Sequence, residues 1–437
     1  MNKLGDGCQF IEREDGSMKG RIVALAVSLA VLFGTVVHTE ARAMDVRDGD
    51  VAGKVGMDIG GGKIHLNAAK KATGKVVAVS LGEDHSGAIT EDRSLYVWGT
   101  EWVKSGGNST IGYGRKEPVK ILDDVYFSCL GSHHSGAVTK DGCLYMWGIN
   151  SSGQLGDGTK ENKRTPVKVL ENVCCVSLGS SHSGAVTEDG SLYMWGENDG
   201  GQLGDGTKRD RDKPVKILEN VRSISLGHRH SGAVTRDGSL YMWGANYDGQ
   251  LGDGTKKDRS QPIKVLENVR SVSLGAGHSG AVTEDGNLYI WGDNEYGQLG
   301  DGKEEDQSKP EKVLENVCLA SFGDFHSGAV MEDKSLYMWG WNTSGQLGDG
   351  TEENKRKPVK VLENVQSVSL GCSHSGAVTE DGSLYMWGAD DAIGLHTGNY
   401  NKPERIESLI AKKTPSKSPT IPNPSKKERS LTARLFP

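Results

Sequence analysis

The stretch "SLGSSHSGAVTEDGSLYMWG" (177–196) holds a serine beside a histidine, two adjoining carboxylates, a tyrosine and a tryptophan. Side chains of these types perform acid–base, nucleophilic or metal chemistry when they converge. His182 and Ser183 do not pair with each other, because neighbouring strand residues point to opposite faces. Repetition decides the rest. H-S-G-A begins at His85, His134, His182, His230, His278, His326 and His374, spaced 49 residues once and then 48 five times. W-G falls on the same beat at Trp98, Trp147, Trp195, Trp243, Trp291, Trp339 and Trp387. A fixed period of this size marks a repeat architecture. A residue present in every unit is scaffold, whereas a catalytic residue is usually present once. Seven histidines ringed about an axis cannot all come within about 2 Å of one ion. Each imidazole is instead expected to satisfy buried backbone groups at its Gly-x-x-His turn. No catalytic, cofactor or metal residue is assigned.

The third unit shows what must position these residues. Four short strands are predicted, at Val176–Gly179, His182–Thr187, Leu192–Gly196 and Val215–Leu218. No stretch has helical periodicity. Asp189-Gly190 suits a two-residue hairpin turn. Five units carry Asp-Gly there, but the first has Asp92-Arg93 and the sixth Asp333-Lys334, whose turns are expected to be less well formed. Pro166, Pro214, Pro262, Pro310 and Pro358 open the fourth strands, where no ladder donor is missed. The second strand is small (Ser183, Gly184, Ala185) and the third large (Leu192, Tyr193, Met194, Trp195). Sheets radiating from an axis diverge outward, so the small strand lies inside the large one. The fold expected is all-β: a seven-bladed β-propeller of four-stranded antiparallel blades over residues 76–410.

The string G-x-x-H-S, then W-G-x-N-x-x-G-Q-L-G-D-G, then Pro, resembles the regulator of chromosome condensation repeat. Kelch and WD propellers compete, but the chain has no W-D dipeptide. The end units depart from the pattern, with "GNSTIGYGR" (107–115) in the first and "DDAIGLHTGN" (390–399) in the seventh. The resemblance implies three kinds of activity. The founding members promote nucleotide exchange on a nuclear GTPase through irregular loops and insertions, for which five spacings of 48 leave no room. A plant photoreceptor of the family places tryptophan beside the repeat histidine, and none stands there in this chain. Some secreted bacterial members are binding propellers that cover a partner with one face.

Three other segments frame the propeller. Residues 22–37 are a sixteen-residue apolar run, shorter than the roughly 20 residues of a membrane span. Lys19 and Arg21 precede it and Ala41-Arg42-Ala43 follows, the pattern of a secretory signal. Residues 1–43 are therefore expected to be an N-terminal extension and signal, starting at Met18 rather than Met1 and cleaved after Ala43. An uncleaved membrane anchor is the alternative. Residues 44–75 read as a Gly-rich linker, whose "GGGK" (60–63) fails as a phosphate loop because Ile64 stands where Ser or Thr is required. Residues 411–437, rich in Pro, Ser and Lys, read as a disordered basic tail. Net charge is −7, and the tail's seven Lys/Arg against one Glu leave the remainder more acidic still. Nucleic-acid binding through the propeller is disfavoured on that ground. Cys129, Cys143, Cys174, Cys175, Cys318 and Cys372 are scattered without a C-x-x-C pair, as small packed thiols would be, and Cys8 precedes Met18.

The expected function is a secreted or surface-exposed monomeric scaffold, not an enzyme, that binds another macromolecule, a protein, without a cofactor or a membrane span after cleavage. A nucleotide-exchange regulator of a small GTPase and a propeller enzyme are the alternatives. The loop before each repeat histidine and the loop after each Trp-Gly emerge on one face. That face varies from unit to unit and carries Tyr247, Tyr296, Phe325 and Trp341, the expected partner contacts. The other face repeats Glu171, Glu188 and Asp189 and is monotonous and acidic.

Overall fold

In the computed structural model, residues 75–105, 109–389 and 400–406 are described, with backbone alone for 100–117. The signal, most of the linker, the tail and the seventh unit's 390–399 loop lie outside them. Twenty-eight strands form seven separate four-stranded antiparallel sheets, and no helix occurs among the described residues. Each sheet is one unbroken stretch of chain: 76–122, 125–170, 173–218, 221–266, 269–314, 317–362 and 365–405, called blades 1 to 7. Strands pair in sequence order within each blade. The first strands line the central channel, of about 250 Å³. The second therefore lies inside the third, as side-chain size requires.

Blade 3 illustrates the differences from expectation. Its strands are Val173–Leu178, His182–Thr187, Leu192–Gly196 and Arg211–Leu218. The first begins three residues early, because Val173 and Cys175 are buried together with Val176 and Leu178 in the core between blades. The fourth begins at Arg211, and Pro214 lies inside it rather than at its start. Pairing skips from Met194↔Val215 to Gly196↔Arg211, so the proline sits in a bulge on an outer strand, where its missing N–H breaks no ladder. The Asp-Gly hairpin has three loop residues, not two. Thr187 N donates to Ser191 O, Gly190 N donates to Thr187 O, and Gly190 takes the left-handed conformation. The two exceptional turns form just as well. Arg93 and Lys334 adopt φ of 65° and 66° and keep the same closing bonds. The departure shows as backbone strain at a non-glycine residue rather than a looser turn.

The core lies between blades. Met194 Sδ would stand 2.6 Å from a Cβ placed on Gly184, so the glycine of H-S-G-A makes room for the third strand's methionine. Blade 5 has Ile290 at the methionine position. There the ring of Phe322, from blade 6, lies over Gly280 instead and stacks on His278 with centroids 4.9 Å apart. The shorter reach of isoleucine is thus matched by a larger ring, Phe322 where other blades have leucine, across the blade junction.

Candidate partner-binding face

The repeated histidines form a belt that joins blade to blade. His134 Nε2 lies 2.9 Å from Ser183 Oγ of the next blade, and His182 Nε2 lies 3.1 Å from Ser231 Oγ. The series continues to His374 and Ser86, at 3.2 Å, which closes the ring. This corrects the expected role of the imidazoles. Their partners are hydroxyls of the following unit, while the turn itself is closed by backbone, Gly179 N donating to His182 O. Each pair has the atoms of a nucleophile and a base. Yet Ser183 Oγ donates its proton to Gln154 O at 2.7 Å, so His134 must donate from Nε2 and stays neutral. Burial pushes His134, His182, His230, His278 and His374 down to about 3, and His85 and His326 to about 4. A buried neutral ring bonded to a committed hydroxyl is a strut.

The tryptophans serve the same junctions. Trp195 Nε1 donates to Gln154 O at 2.9 Å, so the G-Q-L-G-D-G loop of blade 2 is laid over the tryptophan of blade 3. The same bond recurs for Trp243, Trp291, Trp339 and Trp387. Blade 1 lacks this loop, and its third and fourth strands run on as a longer hairpin, pairing through Ser105↔Ser109.

On the face above the belt, three positions meet at the junctions from blades 2 and 3 to blades 6 and 7: one from the loop of the preceding blade, the residue before the histidine, and the residue after Trp-Gly. The carbonyl of the second accepts from the N–H of the third, as in Glu197 N to Ser181 O and Trp341 N to Phe325 O. Between blades 5 and 6 the three are Tyr296, Phe325 and Trp341, with ring centroids 5.5 to 6.1 Å apart. These half-buried rings form one cluster. Tyr247 is separate. It is 54% exposed and makes no ring contact among the described residues, lying instead beside Arg229. The four aromatic residues singled out in the sequence thus divide into a packed trio and a separate, exposed tyrosine beside Arg229. At the junction of blades 3 and 4 Arg229 pairs with Asp199. Between blades 4 and 5 stand Asp248, Gly277 and Asp293. These residues were not singled out from the sequence. Aligning the units at the positions flanking His and Trp-Gly would have exposed them.

Toward the axis, His228 Nε2 lies 3.2 Å from Asp324 Oδ1, linking blades 4 and 6 across Ala276. Burial alone would lower His228, but the Asp324 bond carries it above the ordinary histidine value. The same bond holds Asp324 below the carboxylate range against its burial. Among the described residues, no three or more His, Cys, Asp or Glu are grouped to hold a metal. The six described cysteines are free thiols, two of them fully buried. Cys129 stands where six other blades place serine on the channel, and burial raises it to about 11.

The opposite face is less acidic in effect than its letters suggest. Glu171 pairs with Lys168 at 2.7 Å, and equivalent pairs recur in blades 1 to 6. Asp189 is pulled down to about 2, first by the Thr187 hydroxyl, and staples its turn.

A closed ring of like blades with one varied face defines a repeat propeller. The RCC1-like domain profile matches residues 48–280, and two regulator of chromosome condensation (RCC1) repeat profiles match within 269–378. The chain belongs to the RCC1-repeat family. No curated protein matches it. Among solved structures it is similar to human WBSCR16, at 23% identity and TM-score 0.63, covering 71% of this chain and 93% of that one. It is also similar to Prp20p of Saccharomyces cerevisiae, at 22% identity and TM-score 0.60, covering 70% and 84%. Yeast RCC1 (Prp20) in its complex with Kap60 matches at 21% identity and TM-score 0.62, covering 82% and 91%. These likenesses establish the fold.

Proposed function

We propose that the propeller is a secreted or surface-exposed scaffold, without enzymatic activity of its own, that binds a protein partner through the face built from the pre-histidine and post-tryptophan loops. The observation that carries this reading is the contrast at one set of positions. The belt beneath is the same in every blade, while the junction residues above it change from hydroxyls to a cation, to carboxylates, to aromatic rings. Half-buried aromatic residues on a solvent face are the usual anchors of protein interfaces. The solved structures of Prp20p are described in terms of Gsp1p, histones and Kap60, so related propellers engage proteins. Binding should be lost when Tyr247, Tyr296 and Trp341 are replaced together by serine in a chain that still melts cooperatively. A photo-crosslinker at Tyr247 should trap the partner where one at Glu171, on the other face, does not. Retained capture by the folded triple variant sinks this reading. Secretion is tested separately by N-terminal sequencing of the exported chain, which should begin at Met44. A second reading, nucleotide exchange on a small GTPase, draws on the Gsp1p named for Prp20p. It predicts a cytosolic chain that accelerates nucleotide release.

A further inference from the structure

The Tyr296–Phe325–Trp341 cluster does not stand alone. The neighbouring junction departs from the repeat in the opposite direction, by losing a side chain. Where blades 4 and 6 place Arg229 and Phe325 before the histidine, blade 5 places Gly277. A Cβ at Gly277 would stand 3.4 Å from Asp248 Oδ2 and 3.5 Å from Asp293 Oδ2. Two carboxylates from different blades thus converge on space that no side chain of the protein occupies.

Neither carboxylate has an ion-pair partner among the described residues, although Lys256, bound to Asp306, offsets part of the Asp248 charge from a distance. At the preceding junction Asp199 has its cation in Arg229. Asp306, which faces both carboxylates, is paired with Lys256 at 3.0 Å and accepts from Asn294 N. Asp293 accepts the backbone N–H of Glu295 at 3.1 Å, and that of Asn294 also favours its charged form. Among the described residues no cation lies in ion-pair reach of Asp248 or Asp293. Burial and the charges of Asp293 and Asp306 raise Asp248 above the carboxylate range, against the pull of Lys256. Burial and the charges of Asp306 and Glu295 raise Asp293 likewise.

Resting on the protein-binding face assigned above, we infer that the partner is a protein segment carrying an arginine or lysine beside an apolar side chain. The cation enters the saddle between Asp248 and Asp293, and the apolar neighbour lies on the aromatic cluster. Arginine suits the site best. Its planar fork can answer two carboxylates at once, and its face can stack on an adjacent ring.

The test uses the full chain and two capped peptides, one alternating arginine with leucine and one with glutamate in place of arginine. Three paired variants are compared, each first shown to keep the parent melting temperature to within a few degrees. Asp248→Asn with Asp293→Asn removes the saddle charges. Glu171→Gln with Glu219→Gln removes equal charge from the opposite face. Tyr296→Ser with Trp341→Ser removes the rings. The arginine peptide should bind and the glutamate peptide should not. Its affinity should fall about tenfold or more in the saddle variant and less than about twofold in the opposite-face variant. No binding to the parent, an unchanged affinity in the saddle variant, or an equal fall in both acidic variants overturns the inference. The ring variant reports on the face itself. Loss there supports it, whereas retained binding with a working saddle rejects the aromatic contact and leaves the charge result standing.

Discussion

The belt of the propeller and the face above it are built from the same units a few ångströms apart, and they obey different rules. In the belt every position is repeated, because each side chain must fit its counterpart in the next blade. Gly131, for example, has room for no Cβ: one would stand 2.6 Å from Gly179 O and 2.8 Å from its own blade's His134 Cε1. On the face, Gly277 has the same residue type for a different reason. Its Cβ would meet nothing closer than 3.2 Å, at the Cβ of a surface aspartate. Identity between units therefore reports on packing, and difference between units reports on what the surface meets.

Paired substitutions sharpen this contrast. Gly131→Ala should be the most damaging, at about 4 kcal/mol or more, because backbone blocks the new atom. Gly277→Ala should cost about 1 kcal/mol or less, as read by denaturant unfolding. A tolerated Gly131→Ala would break the comparison. Trp243→Ala should lose about 3–5 kcal/mol through the cavity left by a ring with no solvent exposure. Trp341→Ala, on the face, should lose about 1 kcal/mol or less. His278→Ala should also destabilise, through loss of the Ser327 bond and the stack on Phe322, without any metal being released on elemental analysis.

Acid should destabilise the fold through the belt. The belt histidines have folded values of about 3 to 4 against an ordinary 6.5, so the unfolded chain binds protons that the folded one refuses. Their stabilisation is complete above pH 6.5 and is lost as pH falls toward 4 and below. His228 runs the other way: its bond to Asp324 adds stability below 6.5, lost as pH rises through its raised value. One such site against seven leaves a net loss in acid. Melting temperature should drop steeply between pH 6.5 and 4, and a flat profile would show that the rings are protonated when folded.

Two smaller effects complete the set. Phe322→Leu should cost about 1–2 kcal/mol, and adding Ile290→Met should restore part of it, since the longer methionine reaches the space over Gly280 that the ring vacates. A strictly additive double variant would deny the exchange. Lys334→Gly should stabilise by about 1 kcal/mol by relieving a left-handed backbone at φ 66°.

The sequence shows the fold through its period, and it places the second and third strands of blade 3 to the residue. These strands carry the alternation and the bulky–small contrast within a single unit. The first strand, the start of the fourth and the hairpin geometry are less legible, because bulges and inward packing depend on neighbouring blades. The partner of His182 is further hidden: Ser231 lies one period away, and a period states that units are alike without stating how they touch. The left-handed residues of the L-E-N links, Asn172, Asn220, Asn268, Asn316 and Asn364, were available as a signal, since asparagine tolerates that conformation better than most residues. The candidate face was half legible. Aromatic side chains announce themselves in a repeat, whereas the absence of a side chain at Gly277 gains meaning only when two aspartates are seen to border it.

Among the described residues the ring closes without exchanging a strand. Every other junction is crossed by the continuous chain, but blades 7 and 1 are held only by side-by-side contacts: an apolar cluster of Val76, Leu81, Ala88 and Trp98 with Val378, Leu384 and Met386, and the hydrogen bonds Val76 N to Gly382 O at 3.2 Å, Leu81 N to Ser369 Oγ at 3.1 Å and His374 to Ser86. Tension applied between the two ends of the propeller meets no sheet ladder at that seam. The molecule should open there first, like a split washer, at a force well below that needed to pull any single blade apart.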